Sequence, residues 1–160
     1  MVLYVGGSEL EAGGITVADQ WRLTSDIATD TSPLTNWERV DSSGQGSIGS
    51  AMTVSSGLFT FPSTGIYLVS ATACGHEGSS TDNLVQFDFY YNSVRLFQVF
   101  QQFPIADGFA TGHNSALADV TDVAQTGKFH YANASSPATE LKGSSSINMT
   151  TATFIRLGDT

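Results

Sequence analysis

The sequence is poor in cysteine and in positive charge. Cys74 is the only cysteine among 160 residues, so no disulfide can form within the chain, and the fold does not depend on an oxidising compartment. Six Lys and Arg residues stand against 15 Asp and Glu residues, which gives a formal net charge of −9. Because basic side chains supply most of the affinity for nucleic acids and for anionic membrane surfaces, we expect no nucleic-acid partner and no membrane partner.

Long apolar runs are also missing. None approaches the roughly 20 residues that a membrane-spanning helix needs. Residues 1–7 are too short and lack the basic start of a secretory signal, so we expect a protein that is made in a cytoplasm and released by lysis or assembly. Charged residues make up only 13% of the chain, about half the usual share, and neutral polar side chains take their place.

The length and the hydrophobic content predict one globular domain with a substantial core. Helical periodicity is not sustained anywhere, whereas short strand-like runs recur between clusters of Gly, Ser, Asn and Asp. Eight to ten short strands over this length predict an all-β fold, a two-sheet antiparallel sandwich. Residues 19–160 form this predicted domain. Residues 1–18 are Gly-rich and are interpreted as an N-terminal arm or extension, with a frayed terminus as the alternative.

The predicted strands can be placed by alternation and by turn residues. Residues 83–91 alternate well, and Asn92 with Ser93 reads as a tight hairpin turn. The other predicted strands are residues 20–24, 37–40, 47–54, 94–101, 115–123, 127–131 and 147–157.

The most informative stretch is residues 57–70, which follow the pattern G-x-F-x-F-P-x-x-G-x-Y-x-V. Tyr67 and Val69 are predicted to share one strand face, with Ile66 and Leu68 on the opposite face. A strand with large apolar groups on both faces belongs inside a sandwich or at a subunit contact.

This pattern resembles the signature strand of the complement globular-head and tumour-necrosis-factor-like jelly rolls. Residues 19–24, 85–96 and 151–158 resemble the first strand, the central hairpin and the closing strand of the same superfamily. The resemblance implies a compact homotrimer that binds other molecules or forms part of a larger structure. It also implies that the protein is not an enzyme. The collagen-like stalk and the membrane anchor of many members are absent, so multivalency is expected to come from another scaffold.

A narrower resemblance rests on the run from Trp21 through Trp37-Glu-Arg-Val and on the ending Phe-Ile-Arg-Leu-Gly-Asp. Both are similar to head domains of structural proteins in marine and cyanobacterial tailed phages. The resemblance implies a virion protein, either a capsid-decoration (cement) protein or a head or tail fibre component. Its partners would be the major capsid protein or other virion proteins. The alternative is the receptor- or glycan-binding head of a phage fibre, with a host surface glycan as partner.

Several residues are candidates for these roles. The candidates for the trimer interface are Phe97, Val99, Phe100 and Phe154, of which the first three are expected to be exposed in a single chain. The arm candidates for binding a partner are Val2, Leu3, Tyr4 and Val5, a short apolar run that could add a strand to a capsid protein. The glycan-binding candidates of the alternative function are Asn36, Trp37, Glu38 and Tyr90, the last beside Asn92.

The sequence gives little support for a metal site or a catalytic site. Cys74, His76 and Glu77 lie close together in the sequence, but a zinc site needs about four ligands and no second cysteine exists. His76 and Glu77 are therefore interpreted as solvated side chains at a strand end. Acidic pairs occur, but without the spacing of a calcium loop. We predict no metal, no cofactor and no catalytic residue.

Overall fold

The computed structural model describes residues 3–5, 8–10, 14–78, 83–103, 105–133 and 139–160, with the backbone alone at 3–5, 8–10, 83 and 133. These described residues contain fourteen strands. They are β1 Leu3–Val5, β2 Ser8–Leu10, β3 Val17–Leu23, β4 Trp37–Arg39, β5 Ile48–Gly49, β6 Thr53–Ser55, β7 Leu58–Thr60, β8 Gly65–Glu77, β9 Asn83–Tyr91, β10 Val94–Phe103, β11 Gly108–Val120, β12 Thr126–Asn133, β13 Thr139–Leu141 and β14 Thr151–Gly158. Among the described residues, no helix is long and apolar enough to cross a membrane.

Two antiparallel sheets form the sandwich, as predicted. The smaller sheet has the order β10-β9-β12-β7-β6. The larger sheet has the order β11-β8-β14-β3-β4, with β13 beside β8 and β5 beside β3. The first and last long strands, β3 and β14, are neighbours, so the two ends of the domain meet in the middle of the larger sheet. Strands β1 and β2 pair with each other in a two-stranded sheet of their own.

The core between the sheets is dominated by aromatic rings. Phe59 lies at its centre, edge-on to Trp21 at 5.5 Å and to Phe129 at 5.7 Å between ring centroids. Edge-to-face pairs of this kind add about 0.5–1.5 kcal/mol each beyond the burial of their area. The fully buried aromatic side chains are Phe59, Phe61, Tyr67, Phe87, Phe89, Phe103, Phe129, Tyr131 and Phe154. A core of this kind holds two sheets together without a disulfide.

The glycines at both ends of the signature pattern are required by the backbone. Gly57 has a φ of 78°, and a Cβ there would lie 2.4 Å from the carbonyl oxygen of Leu34. Gly65 has a φ of 142°, and its Cβ would lie 2.4 Å from the carbonyl oxygen of Gly158. Only glycine fits such positions. The Tyr67 hydroxyl donates to the Ser63 carbonyl at 3.0 Å and closes the turn between the two strand pieces.

The predicted strand at residues 83–91 and the turn that follows are confirmed. Asn92 and Ser93 have positive φ angles of 45° and 66°, as a tight two-residue hairpin turn requires. The predicted strand at 147–157 is wrong at its start, since β14 begins at Thr151. The Ser144 hydroxyl accepts from the backbone N–H groups of residues 146 and 147, so Ile147 lies in a turn and is exposed.

Two other boundaries differ from the prediction. The predicted strand at 47–54 is divided into β5 and β6. Strand β11 begins seven residues earlier than predicted, at Gly108 rather than Ser115, and ends at Val120. Its end is set by Asp122, whose carboxylate accepts from the Ala124 N–H at 2.8 Å and forms a polar turn.

Candidate binding surfaces

The outer face of the larger sheet, opposite the core, carries a line of apolar side chains across five strands. The strand register places Leu117 opposite Leu68, Leu68 opposite Ile155, Ile155 opposite Ala18, and Ala18 opposite Ile48. We call these five residues the apolar row. With neighbouring strands about 4.8 Å apart, the row is about 20 Å long. Its two ends are the most exposed, with Leu117 at 60% and Ile48 at 50%.

The next line of the same face is polar but uncharged. Ser115 lies opposite Ser70, Ser70 opposite Thr153, and Thr153 opposite Gln20, whose side-chain amide donates to the Thr153 hydroxyl at 3.1 Å. The line after that contains charged side chains. Arg22 lies opposite Glu38, and its Nε is 2.6 Å from Glu38 Oε1. The apolar row therefore adjoins a band of neutral polar groups, which costs less to desolvate than a band of charged groups would.

A groove continues from one end of the apolar row. It has a volume of about 450 Å³ and is lined by Leu117, Val94, Leu96 and Tyr91 among others. Val94 is 61% exposed, and the Tyr91 hydroxyl is buried without a hydrogen-bond partner. Exposed apolar groups beside an unpartnered hydroxyl are characteristic of a surface that a further molecule covers.

The four predicted interface residues differ from the prediction in how exposed their side chains are. Phe97 and Val99 are each only 5% exposed and lie in the core of a single chain, so the prediction that they are exposed is wrong. Phe154 is fully buried as well, because β14 directs it between the sheets against Phe59. Phe100 is 54% exposed on β10, as expected, and it alone of the four side chains is available to another molecule.

The predicted arm falls on the two-stranded sheet. Leu3, Tyr4 and Val5 form β1, whose backbone pairs with β2, and Val2 lies outside the described residues. The side chains of this run also lie outside the described part of the chain, so its role as an arm stays a prediction.

Trp37 does not present its ring to solvent. It is 7% exposed and packs against Phe59 and Phe129 at 5.7 and 5.1 Å between ring centroids. Glu38 is paired with Arg22, and the exposed Asn36 donates to the Ser25 hydroxyl at 2.9 Å. The expectation that Trp37 presents an exposed ring to a sugar is therefore wrong, because this ring belongs to the core, whereas a sugar-binding role for Asn36 and Glu38 stays a prediction.

Tyr90 and Asn92, in contrast, line a depression on the outer face of the smaller sheet. This depression, the polar pocket, has a volume of about 290 Å³ and is bounded by the turn after β9, the start of β12 and the loop before it. Its lining residues are Leu58, Tyr90, Asn92, Ser93, Ala124, Gln125, Thr126 and Lys128. The Lys128 ammonium lies 5.7 Å from the centre of the Tyr90 ring, within reach of a cation–π contact.

A buried carboxylate lies next to the polar pocket on the same face. Asp88 is fully buried, and its Oδ2 accepts from the Gln86 amide at 2.5 Å and lies 3.2 Å from His130 Nδ1 and 3.6 Å from Arg95. Its Oδ1 has no partner. Sequence reasoning missed Asp88, although an aspartate amid a strongly alternating apolar strand is a signal for a partnered acid.

The Cys74, His76 and Glu77 group is divided by the strand. Cys74 and His76 lie on the outer face of β8, whereas Glu77 is fully buried on the core face, contrary to the prediction that it is solvated. His76 contacts the Phe109 ring at 4.5 Å and Asp107 at 3.1 Å. In the described part of the chain, no three His, Cys, Asp or Glu side chains are placed to hold a metal ion.

Comparisons with known proteins identify the fold. No family model matches the sequence, and no curated protein matches it. Among solved structures, Eiger TNF from S. frugiperda aligns with a TM-score of 0.67 and 14% identity over 92% of this chain and 96% of that one. Murine APRIL at pH 8.5 aligns with a TM-score of 0.61 and 15% identity over 88% of this chain and 98% of that one.

The PRD1 vertex protein P5 is a third similar structure, with a TM-score of 0.58 and 18% identity over 91% of this chain and all of that one. The chain therefore has the tumour-necrosis-factor-like jelly-roll fold, as the signature strand predicts. At these identities the likeness shows the fold alone, because one fold hosts many functions.

Proposed function

We propose that this chain is a structural protein of a phage virion that acts by binding as a homotrimer and not by catalysis. In this proposal it decorates or cements the capsid, or forms part of a head or tail fibre, and its partners are the major capsid protein or other virion proteins. The apolar row is the observation that carries the proposal. A solvated monomer has no need for a line of apolar groups across five strands, two of them half exposed or more.

Three-fold symmetry suits this surface. A ring of three copies joins two different surfaces at each contact, so the outer face of one copy can meet an edge of the next. Leu117 and Phe100 lie on β11 and β10, the end strands of the two sheets, and both are exposed. The neighbouring groove offers room for the side chains of a second copy. A trimer would also match three-fold points of a capsid lattice, where weak contacts add through multivalency.

The similarity to a phage vertex protein over 91% of the chain supports a virion role and gives it a test. Purified particles of the encoding phage should contain the chain in a copy number divisible by three, measured by quantitative mass spectrometry. Gold-labelled antibody should then distinguish the capsid surface from the fibres and the tail in electron micrographs. Recovery of the chain only from the lysate, and never from purified particles, would contradict the proposal.

A second candidate function is the glycan-binding head of a phage fibre. The polar pocket favours it, because Tyr90 and Asn92 stand together there with further amide and hydroxyl groups. The polar pocket lies on the smaller sheet and the apolar row on the larger one, although the polar pocket and the groove share Asn92 and Gln125.

A further inference from the structure

We propose that the polar pocket binds an acidic sugar, a hexose unit that carries a carboxylate, and that Lys128 is the partner of that carboxylate. This inference rests on the second of the two functions proposed above. It adds the class of the ligand and the residue that selects it.

Lys128 is the exception among the basic residues. The chain has six Lys and Arg residues, and five of them lie within 4 Å of a carboxylate. Within the described residues, Lys128 has no such partner, although the chain carries 15 Asp and Glu residues. An unpaired ammonium at the wall of a pocket, in a chain so rich in acids, has its charge available for a ligand.

The surroundings of Lys128 favour an anion. Arg95 and His130 lie on the same sheet face, on the strands that flank and pair with β9, and both are directed at the buried Asp88. Arg95, a permanent cation, thus lies 3.6 Å from the buried Asp88 carboxylate, which His130 also contacts. Asp122, in the loop before β12, accepts from the Ala124 N–H. A carboxylate on a ligand would give the Lys128 ammonium an ion-pair partner.

The remaining groups of the polar pocket are suited to a sugar rather than to a bare ion. Asn92 and Gln125 supply amides, and Ser93 and Thr126 supply hydroxyls, so donors and acceptors for sugar hydroxyls are both present. Leu58 is 38% exposed and offers an apolar contact for the C–H groups of a ring. A volume of about 290 Å³ is at the lower end of the range for ligand pockets, about 300–1,000 Å³, which fits one or two sugar units.

The walls of the polar pocket are held in place before any ligand arrives. The Asn92 N–H donates to the Thr126 carbonyl at 3.2 Å, which ties the hairpin turn to the start of β12. The Gln125 N–H donates to the Asp122 carbonyl at 3.1 Å and orders the loop on the other side. Preorganised walls reduce the entropy that binding costs, which matters for a ligand as small as a sugar.

The test is a titration of the full-length ¹⁵N-labelled protein followed by NMR, with glucuronic acid as the probe. We expect shifts confined to the backbone amides of residues 58, 90, 92–93 and 124–128, which line the polar pocket or adjoin its lining. Lys128→Gln should weaken binding roughly tenfold, since it removes a charge-assisted hydrogen bond. Lys142→Gln is the matched control, because Lys142 pairs with Asp26 and Glu140 away from the polar pocket, and it should bind as wild type does.

Two further probes with wild-type protein keep the test independent of any variant. Glucose should bind more weakly than glucuronic acid, and acetate should not reproduce the glucuronic acid shifts. Equal binding of glucose and glucuronic acid would overturn the role of Lys128 while leaving a glycan site. Equal shifts with acetate would reduce the site to an anion site and overturn the sugar assignment. No localised shift with either sugar would overturn both this inference and the glycan function, without bearing on the homotrimer.

Discussion

Tyr131 ties the stability of the fold to pH. Its ring is fully buried and its hydroxyl donates to the Thr139 carbonyl at 3.0 Å. Burial, together with the nearby charges of Asp30, Glu140 and Glu77, raises the pKa of Tyr131 to about 12, although a hydrogen bond with the Thr139 side chain acts in the opposite direction. The folded chain therefore keeps a proton that the unfolded chain loses near pH 10.

The sign of this linkage sets a prediction. Neutral Tyr131 contributes roughly 2–3 kcal/mol to the free energy of unfolding. This contribution is fully present below about pH 10 and is lost as the pH rises towards about 12. Tyr131→Phe removes this titration, so its free energy of unfolding should fall less steeply than that of wild type between about pH 9 and 12. Urea unfolding at a series of pH values and one protein concentration measures both slopes. Identical slopes would contradict the claim that Tyr131 causes the loss of stability at alkaline pH.

Single residues also mark the limit of what the sequence predicts. Alternation placed Tyr67 and Val69 on one strand face correctly, because strand faces follow a period of two, and both side chains are buried. The same rule could not assign Phe97 or Phe154, since an apolar side chain gives no sign of which face is covered by its own chain. That Lys128 lacks a carboxylate partner among the described residues was equally invisible, because ion pairs such as Arg39 with Asp19 join strands that lie far apart in the sequence.

At the level of whole strands, turn chemistry decided which predictions were accurate. The hairpin at residues 83–103 was placed well because Asn92 and Ser93 adopt the turn that their types favour. Strand β11 was predicted too short because small and polar residues fill its first half, and pairing with β8 along its full length holds it in the sheet. Pairing of this kind is a tertiary effect that local propensity does not contain.

The β1–β2 hairpin carries a prediction of its own. Removing residues 1–14 should leave the two main sheets folded, because the hairpin forms a sheet separate from both. If its apolar run adds a strand to a capsid protein, the truncated chain should still melt cooperatively but should no longer sediment with phage particles. Differential scanning calorimetry and co-sedimentation provide the two readouts, with the full chain as control. Sedimentation equal to that of the full chain would contradict the arm.

For the molecule as a whole, the two sheets have different outer faces. The larger sheet presents the apolar row, whereas the smaller sheet presents the polar pocket and the buried Asp88. In the proposed homotrimer, the apolar row would belong to the contact between copies, and the polar pocket would be the site for a ligand. The fold class was readable from the sequence, but this division was not, because it depends on the register between strands that are distant in the chain.

Light scattering during size-exclusion chromatography tests the proposed homotrimer most directly. Wild-type protein should have three times the chain mass of 16.9 kDa. Leu117→Lys should dissociate the trimer, because the contact between copies would then bury an unpaired charge. The same substitution should change the stability of a single chain little, because Leu117 is 60% exposed there. Val123→Lys, at an exposed loop position, is the control and should remain trimeric. A stable monomer of the wild-type protein at micromolar concentration would contradict the proposal.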